Sequence, residues 1–108
     1  MIKKQIRKKL NKAIQLDNKL LKKINYVETH WNSFNIANIE DRIELKKEVY
    51  SLRKRVQKEI MQFEDFLKQL EQLESNKELL SSLKEANKII ETLKERIDIV
   101  NSAIKAIR

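Results

Sequence analysis

The sequence predicts an all-α protein, an antiparallel three-helix bundle with coiled-coil-like packing, and three observations carry that expectation. Apolar residues recur in alternating steps of four and three along three separate stretches, the spacing that keeps one face of an α-helix against a partner. The 108 residues include no Gly, Pro or Cys, so the strongest helix breakers are missing. Extra apolar residues flank each seam: Ile14, Leu16 and Leu21 on the first, Ile60 and Leu67 on the second, Leu80, Ile89 and Ala103 on the third. A two-stranded coiled coil needs only a narrow seam, whereas a helix touching two neighbours needs a wider one.

The first helix is expected from about Ile2 to Trp31, with Ile2, Ile6, Leu10, Ala13, Leu20, Ile24, Val27 and Trp31 on its seam and Asp17 as the one polar intruder. The Asn- and Ser-rich stretch from Asn32 to Asn38 is the best break, because these side chains compete for backbone hydrogen bonds. Asn38 suits an N-cap, since Glu40 and Asp41 then fall in a first turn where the helix dipole favours negative charge. The second helix is expected from about Ile39 to Glu74. Its seam runs Leu45, Val49, Leu52, Val56, Phe63, Phe66, Leu70 and Leu73, interrupted only by Glu59. Ser75 with Glu78 fits a capping box, which opens the third helix, about Asn76 to Ile107; the alternative is one continuous helix through Ser75 with the first helix packed on it. Its seam holds Leu79, Leu83, Ala86, Ile90, Leu93, Ile97, Val100, Ile104 and Ile107. At this length the whole chain, 1–108, reads as one domain.

Composition excludes several classes. Without cysteine there is no disulfide, no thiolate nucleophile and no cysteine zinc site. No apolar run reaches the roughly 20 residues that span a bilayer, and Met1–Gln5 leads into charge rather than an apolar signal segment. The expected home is intracellular, in the cytoplasm.

The net charge of +8 is uneven. Residues 1–31 hold nine Lys/Arg against Asp17 and Glu28, whereas residues 32–74 hold eight against nine acids and residues 75–108 seven against five. Closing the first hairpin near Phe34 would lay Lys3–Lys12 beside Glu59–Asp65. Closing the second near Ser75 would bring Arg53, Arg55 and Lys58 near Glu91 and Glu95. Such exposed pairs contribute about 0–1 kcal/mol each, so they select topology more than they stabilise it.

Four sets of residues are candidate sites. Lys3, Lys4, Arg7, Lys8, Lys9 and Lys12 form a basic face opposite the first seam, either an electrostatic footprint for the phosphate of RNA, DNA, a ribosome or anionic lipid, or a solvated face partly neutralised by the second helix. No aromatic residue lies among them to stack a base. Asp17 and Glu59 could form a buried polar layer, could yield their places to Leu16 and Ile60 by a small helix rotation, or, for Asp17, could pair with Arg53. Two lone acids do not define a catalytic site. His30, at the end of the first helix, lacks the converging ligands of a metal site. Trp31 and Phe34 either plug the end of the core or, if exposed, serve as interface anchors.

The segment Leu52-Arg53-Lys54-Arg55-Val56-Gln57-Lys58-Glu59-Ile60-Met61-Gln62-Phe63, continuing to Leu73, resembles the middle helix of BAG domains, three-helix co-chaperone modules that bind the ATPase domain of a heat-shock chaperone. The resemblance implies a co-chaperone role. The family's chaperone contacts are not matched: Arg53 stands where it has an acid, and Leu83 and Glu91 where it has Arg and Gln.

These features lead to a non-enzymatic protein-interaction or adaptor bundle, with no catalytic residue, metal or cofactor assigned. A bundle with filled seams offers little concave space for converging polar groups. The expected partner is another protein. Binding of nucleic acid or a ribosome by the basic first helix is the main alternative, a BAG-like module a second, and a homo-oligomer remains open.

Overall fold

The computed structural model describes all 108 residues and is a three-helix bundle without strands. Helix α1 spans Ile2–Thr29, α2 spans Ile39–Leu70 and α3 spans Asn76–Ile107, with a single 3₁₀ turn at Trp31–Ser33. The bundle is elongated, 55 × 20 × 18 Å. That shape follows from helices of 28, 32 and 32 residues lying side by side.

Two helix ends differ from the expected ones. The first helix stops at Thr29, two residues before Trp31, because side chains take over its last carbonyls. Thr29 Oγ1 donates to Asn25 O at 2.9 Å, and the His30 ring nitrogen Nδ1 lies 3.0 Å from Tyr26 O. The second helix stops at Leu70, four residues before Glu74. There the backbone tightens: Gln72 N donates to Gln69 O and Leu73 N to Leu70 O. Leu70 is thereby sealed in the core while the chain turns toward Ser75. Helices two and three are separate, and Ser75 caps the third by accepting from Glu78 N at 3.4 Å.

Between α1 and α2 the linker is pinned from three directions. Asn35 N donates to Ile107 O at 2.7 Å, tying it to the end of α3. Arg42 reaches back with Nε to Ile36 O at 2.7 Å and Nη2 to Phe34 O at 3.2 Å. Asn38 accepts from Glu40 N at 2.8 Å as the N-cap of α2. Asn38→Ala is expected to cost about 1 kcal/mol in urea denaturation and Asn38→Gly only a few tenths, since glycine tolerates the cap backbone and lets water reach the freed donor.

The core is built on α1. Ile6, Leu10, Ala13, Leu16, Leu20 and Ile24 are buried along it, and Val56, Phe63 and Leu70 of α2 and Leu79, Ile90, Leu93 and Ile97 of α3 close over them. A second cluster at the far end joins Val27, Phe34 and Ile104. Helix α1 packs closely along both neighbours, but the backbones of α2 and α3 approach each other at very few places. Interaxial distance follows the size of the side chains at the contact. The large Phe63 and Phe66 stand between α2 and Ala86 and Ile89 of α3, leaving an apolar cleft of about 220 Å³ floored by Leu10.

The charge register is also shifted from the expected one. Arg7 pairs with Glu71, and Lys3 Nζ donates to Glu71 O at 3.0 Å, so the start of α1 lies beside the very end of α2 rather than beside Glu59–Asp65. Arg53, fourteen residues into α2, lies beside Asn25 and Glu28 near the end of α1, so α2 begins beyond the end of α1 and every residue of the hairpin pairs later than a closure at Phe34 would give. Between α2 and α3 the one ion pair runs with reversed polarity: the acid, Glu59, is on α2 and the base, Arg96, on α3.

Candidate functional site: a lysine-lined trough between α1 and α3

Helices α1 and α3 run parallel, because α2 returns the chain between them. Where their surfaces diverge, two polar hollows open on the same side of the pair. One, about 720 Å³, is lined by Lys8, Lys9 and Lys12 of α1 and Lys94 of α3, with Gln5, Asn11, Gln15 and Asn87 among its polar neighbours. The other, about 460 Å³, is lined by Lys19, Lys22 and Lys23 of α1 and Lys105 and Arg108 of α3. No acidic side chain lines either hollow.

The two hollows repeat because the sequence does. Lys8 and Lys19, Lys12 and Lys23, and Lys94 and Lys105 are each eleven residues apart. Eleven residues make just over three full turns, so each step returns a lysine to the same face about 16 Å further along. Both helices take this step in the same direction, which turns two lysine stripes into two matched rungs of one trough.

The structure divides the basic face read from the sequence. Lys3 and Arg7 turn to the end of α2 and are held there by Glu71. Lys8, Lys9 and Lys12 line the trough, and Lys4 is exposed. Sequence reasoning missed the second rung and all of the α3 contribution. The eleven-residue spacing was the available signal.

Trp31 is half-buried, with Lys46 Nζ 5.2 Å from its ring centroid. Phe34 is only 4% exposed, so of its two readings the core plug holds and the exposed interface anchor does not. It stands edge-on to Tyr26, which in turn stacks on His30 at 4.3 Å. His30 is therefore occupied at the helix end, and no group of three His, Cys, Asp or Glu side chains converges to hold a metal.

Asp17 and Glu59 do meet, and neither yields its place. Asp17 is 0% exposed. The expected pairing with Arg53 does not form: Arg53 is taken by Glu28 and donates to Asn25 Oδ1 at 2.8 Å, about two to three turns further along α1. Arg96 instead holds Glu59 with two bonds, Nη1 to Oε1 at 2.8 Å and Nη2 to Oε2 at 3.4 Å. One residue from each helix thus forms a polar layer in mid-bundle. Burial, and then the neighbouring Glu59 carboxylate, raise Asp17 from the usual 3.8 to about 7, with Arg96 opposing the rise. Neither Asp17 oxygen has a hydrogen-bond partner. Two ionised carboxylates are both acceptors; a proton on Asp17 supplies the missing donor toward Glu59.

No helix is long and apolar enough to cross a membrane. No protein family matches the chain in sequence, and no curated protein or solved structure matches it. The apolar residues behind the likeness of Leu52–Leu73 to BAG domains include Val56, Phe63 and Leu70, which serve the core.

Proposed function

We propose that this chain is a non-enzymatic binding module whose main contact surface is the α1/α3 trough and whose partner is a polyanion. The carrying observation is the pair of matched rungs: nine cations on facing walls, with no acid among the lining residues. A concave surface of one sign concentrates field and draws the opposite charge. Keeping nine like charges together raises the energy of the free protein, and a polyanion relieves that repulsion. The non-enzymatic reading is supported by the location of the one perturbed acid: Asp17 is sealed from solvent, so no substrate could reach it.

Heparin chromatography tests the trough. Lys12→Glu with Lys105→Glu is expected to elute at clearly lower salt than the unchanged protein, with unchanged helical circular dichroism because both positions are exposed. Lys47→Glu with Lys58→Glu alters net charge equally on α2 and serves as the control. Equal shifts for both pairs would mean that net charge, not the trough, governs binding.

A protein partner remains a second reading, on a separate observation. Ile39, Ile43 and Tyr50 of α2 are 73%, 51% and 55% exposed. They fall on one stripe of the helix, and Tyr50 shares a shallow hollow with Trp31. An adaptor or a second copy of the chain would cover such a surface. Sedimentation of the unchanged protein and of Ile43→Ser/Tyr50→Ser over a concentration range checks the second copy. Self-association that the double variant abolishes is the result expected of it.

A further inference from the structure

We infer that the polyanion is duplex nucleic acid, held along the trough by its phosphate backbone and without regard to base sequence; this deepens the reading above and rests on it. Charge density decides among the candidate ligands. From Lys8 to Lys23 is fifteen residues of helix, about 22 Å, and α3 supplies Lys94, Lys105 and Arg108 over the same span. Nine cations in that length amount to roughly one per 2.5 Å. An extended acidic peptide offers at most one charge per about 3.4 Å and leaves cations unmatched. A duplex offers about one per 1.7 Å of its axis, enough to meet both rungs at once.

Single strands are disfavoured for a second reason. Tight binding of unpaired bases uses aromatic faces as stacking platforms. The trough has one aromatic residue, Tyr26, and it already stacks on His30 and has the Arg108 guanidinium 5.6 Å from its ring. A lipid surface is disfavoured too. Membrane-surface helices insert apolar side chains beside their lysines. The exposed apolar residues here, among them Ile39, Ile43, Tyr50 and Ile99, line neither rung. The apolar residues of the trough, such as Ile90 and Ile104, are buried in the core.

The experiment is fluorescence anisotropy of the whole chain with five probes: two labelled 20-base-pair DNA duplexes of unrelated sequence, an RNA duplex of the same length, the matching single DNA strand, and polyglutamate of equal charge. A sixth arm sediments the protein with phosphatidylserine-containing vesicles. The expected result is equal affinity for the two DNA duplexes, at least tenfold tighter than for the single strand or polyglutamate, and a fall in log K of about 4–8 per decade of salt. Lys12→Glu/Lys105→Glu should weaken duplex binding at least tenfold and flatten the salt slope. The RNA duplex should likewise bind at least tenfold tighter than the single strand, since phosphate density rather than base sequence holds it. Equal or tighter binding of the single strand, polyglutamate or vesicles overturns the duplex inference while leaving the polyanion trough in place. No binding to any probe at 50 mM salt overturns both.

Discussion

Replacing Arg96 with methionine is expected to destabilise the bundle by about 2–4 kcal/mol at pH 7, measured by urea denaturation. Methionine keeps most of the buried stem but leaves Glu59 and Asp17 facing each other with no cation between them. Breaking a buried ion pair from one side typically costs about 3–5 kcal/mol, because the remaining charge is stranded. The lower part of the range applies here, since the Glu59 side chain keeps 23% of its surface in solvent. Two further measurements separate this account from simple loss of packing. The cost should shrink toward pH 5, where Asp17 carries its proton. Adding Glu59→Leu should restore most of the loss, since removing both partners of a buried pair is often neutral or stabilising. A loss independent of pH and unrelieved by the second change would refute the layer as an electrostatic unit.

Asp17→Asn is expected to act in the opposite direction and to stabilise. The folded protein holds Asp17 at about 7 and the unfolded chain near 3.8, so the folded state binds the extra proton between those values. Stability therefore falls as pH rises. The favourable contribution is complete below about pH 4, declines through the window from 4 to 7, and is gone above it. At 1.36 kcal/mol per pKa unit the whole change is about 4 kcal/mol. Asparagine keeps the shape of the protonated acid, and its amide can donate to Glu59 at every pH. Thermal melts at pH 4 and pH 8 should show little difference between the two proteins at the lower pH. At the higher pH, Asp17→Asn should gain about 10 °C or more, on the usual scale of some 4–8 °C per kcal/mol for a domain of this size. Comparing the two proteins at each pH cancels the other carboxylates. An unchanged or lowered melting temperature at pH 8 would show that Asp17 is not the source of the pH dependence.

The retention of so costly a layer has a physical reading. Helices α2 and α3 barely touch through their backbones, and the Glu59–Arg96 pair is their ion-pair link. A one-turn slip of α3 would set Thr92 or Val100 opposite Glu59 and leave two acids unpaired. Apolar seams alone resist such slips weakly, because a heptad pattern matches itself one repeat along. The layer penalises the wrong registers at a cost to the right one. Register in turn aligns α3 against α1, and the trough depends on that alignment. A slip of α3 would separate Lys94 from the rung of Lys8 and Lys12, and Lys105 from that of Lys19 and Lys23.

The sequence by itself determined the class of fold and marked where two of the helices begin, while leaving open whether the second and third were one continuous helix. Those features are local: apolar periodicity fixes which face is buried, and Asn38 and Ser75 satisfy donors within three residues of themselves. It also marked Asp17 and Glu59 as the two breaks in otherwise apolar seams. Only the tertiary structure decided that they share one layer and that Arg96, which lies off the third seam, completes it. The same holds for Arg53, whose partner proved to be Glu28 rather than Asp17. Pairings across helices depend on where each helix actually ends and how far the connection carries the next one. The ion pairs of Arg7, Arg53 and Arg96 accordingly fall one or more turns away from the pairings expected of hairpins closed at Phe34 and Ser75. The lysines were in plain view along the chain, but a trough has two walls. That α1 and α3 supply them depends on which two helices lie side by side and in what register, and only the tertiary structure decides that.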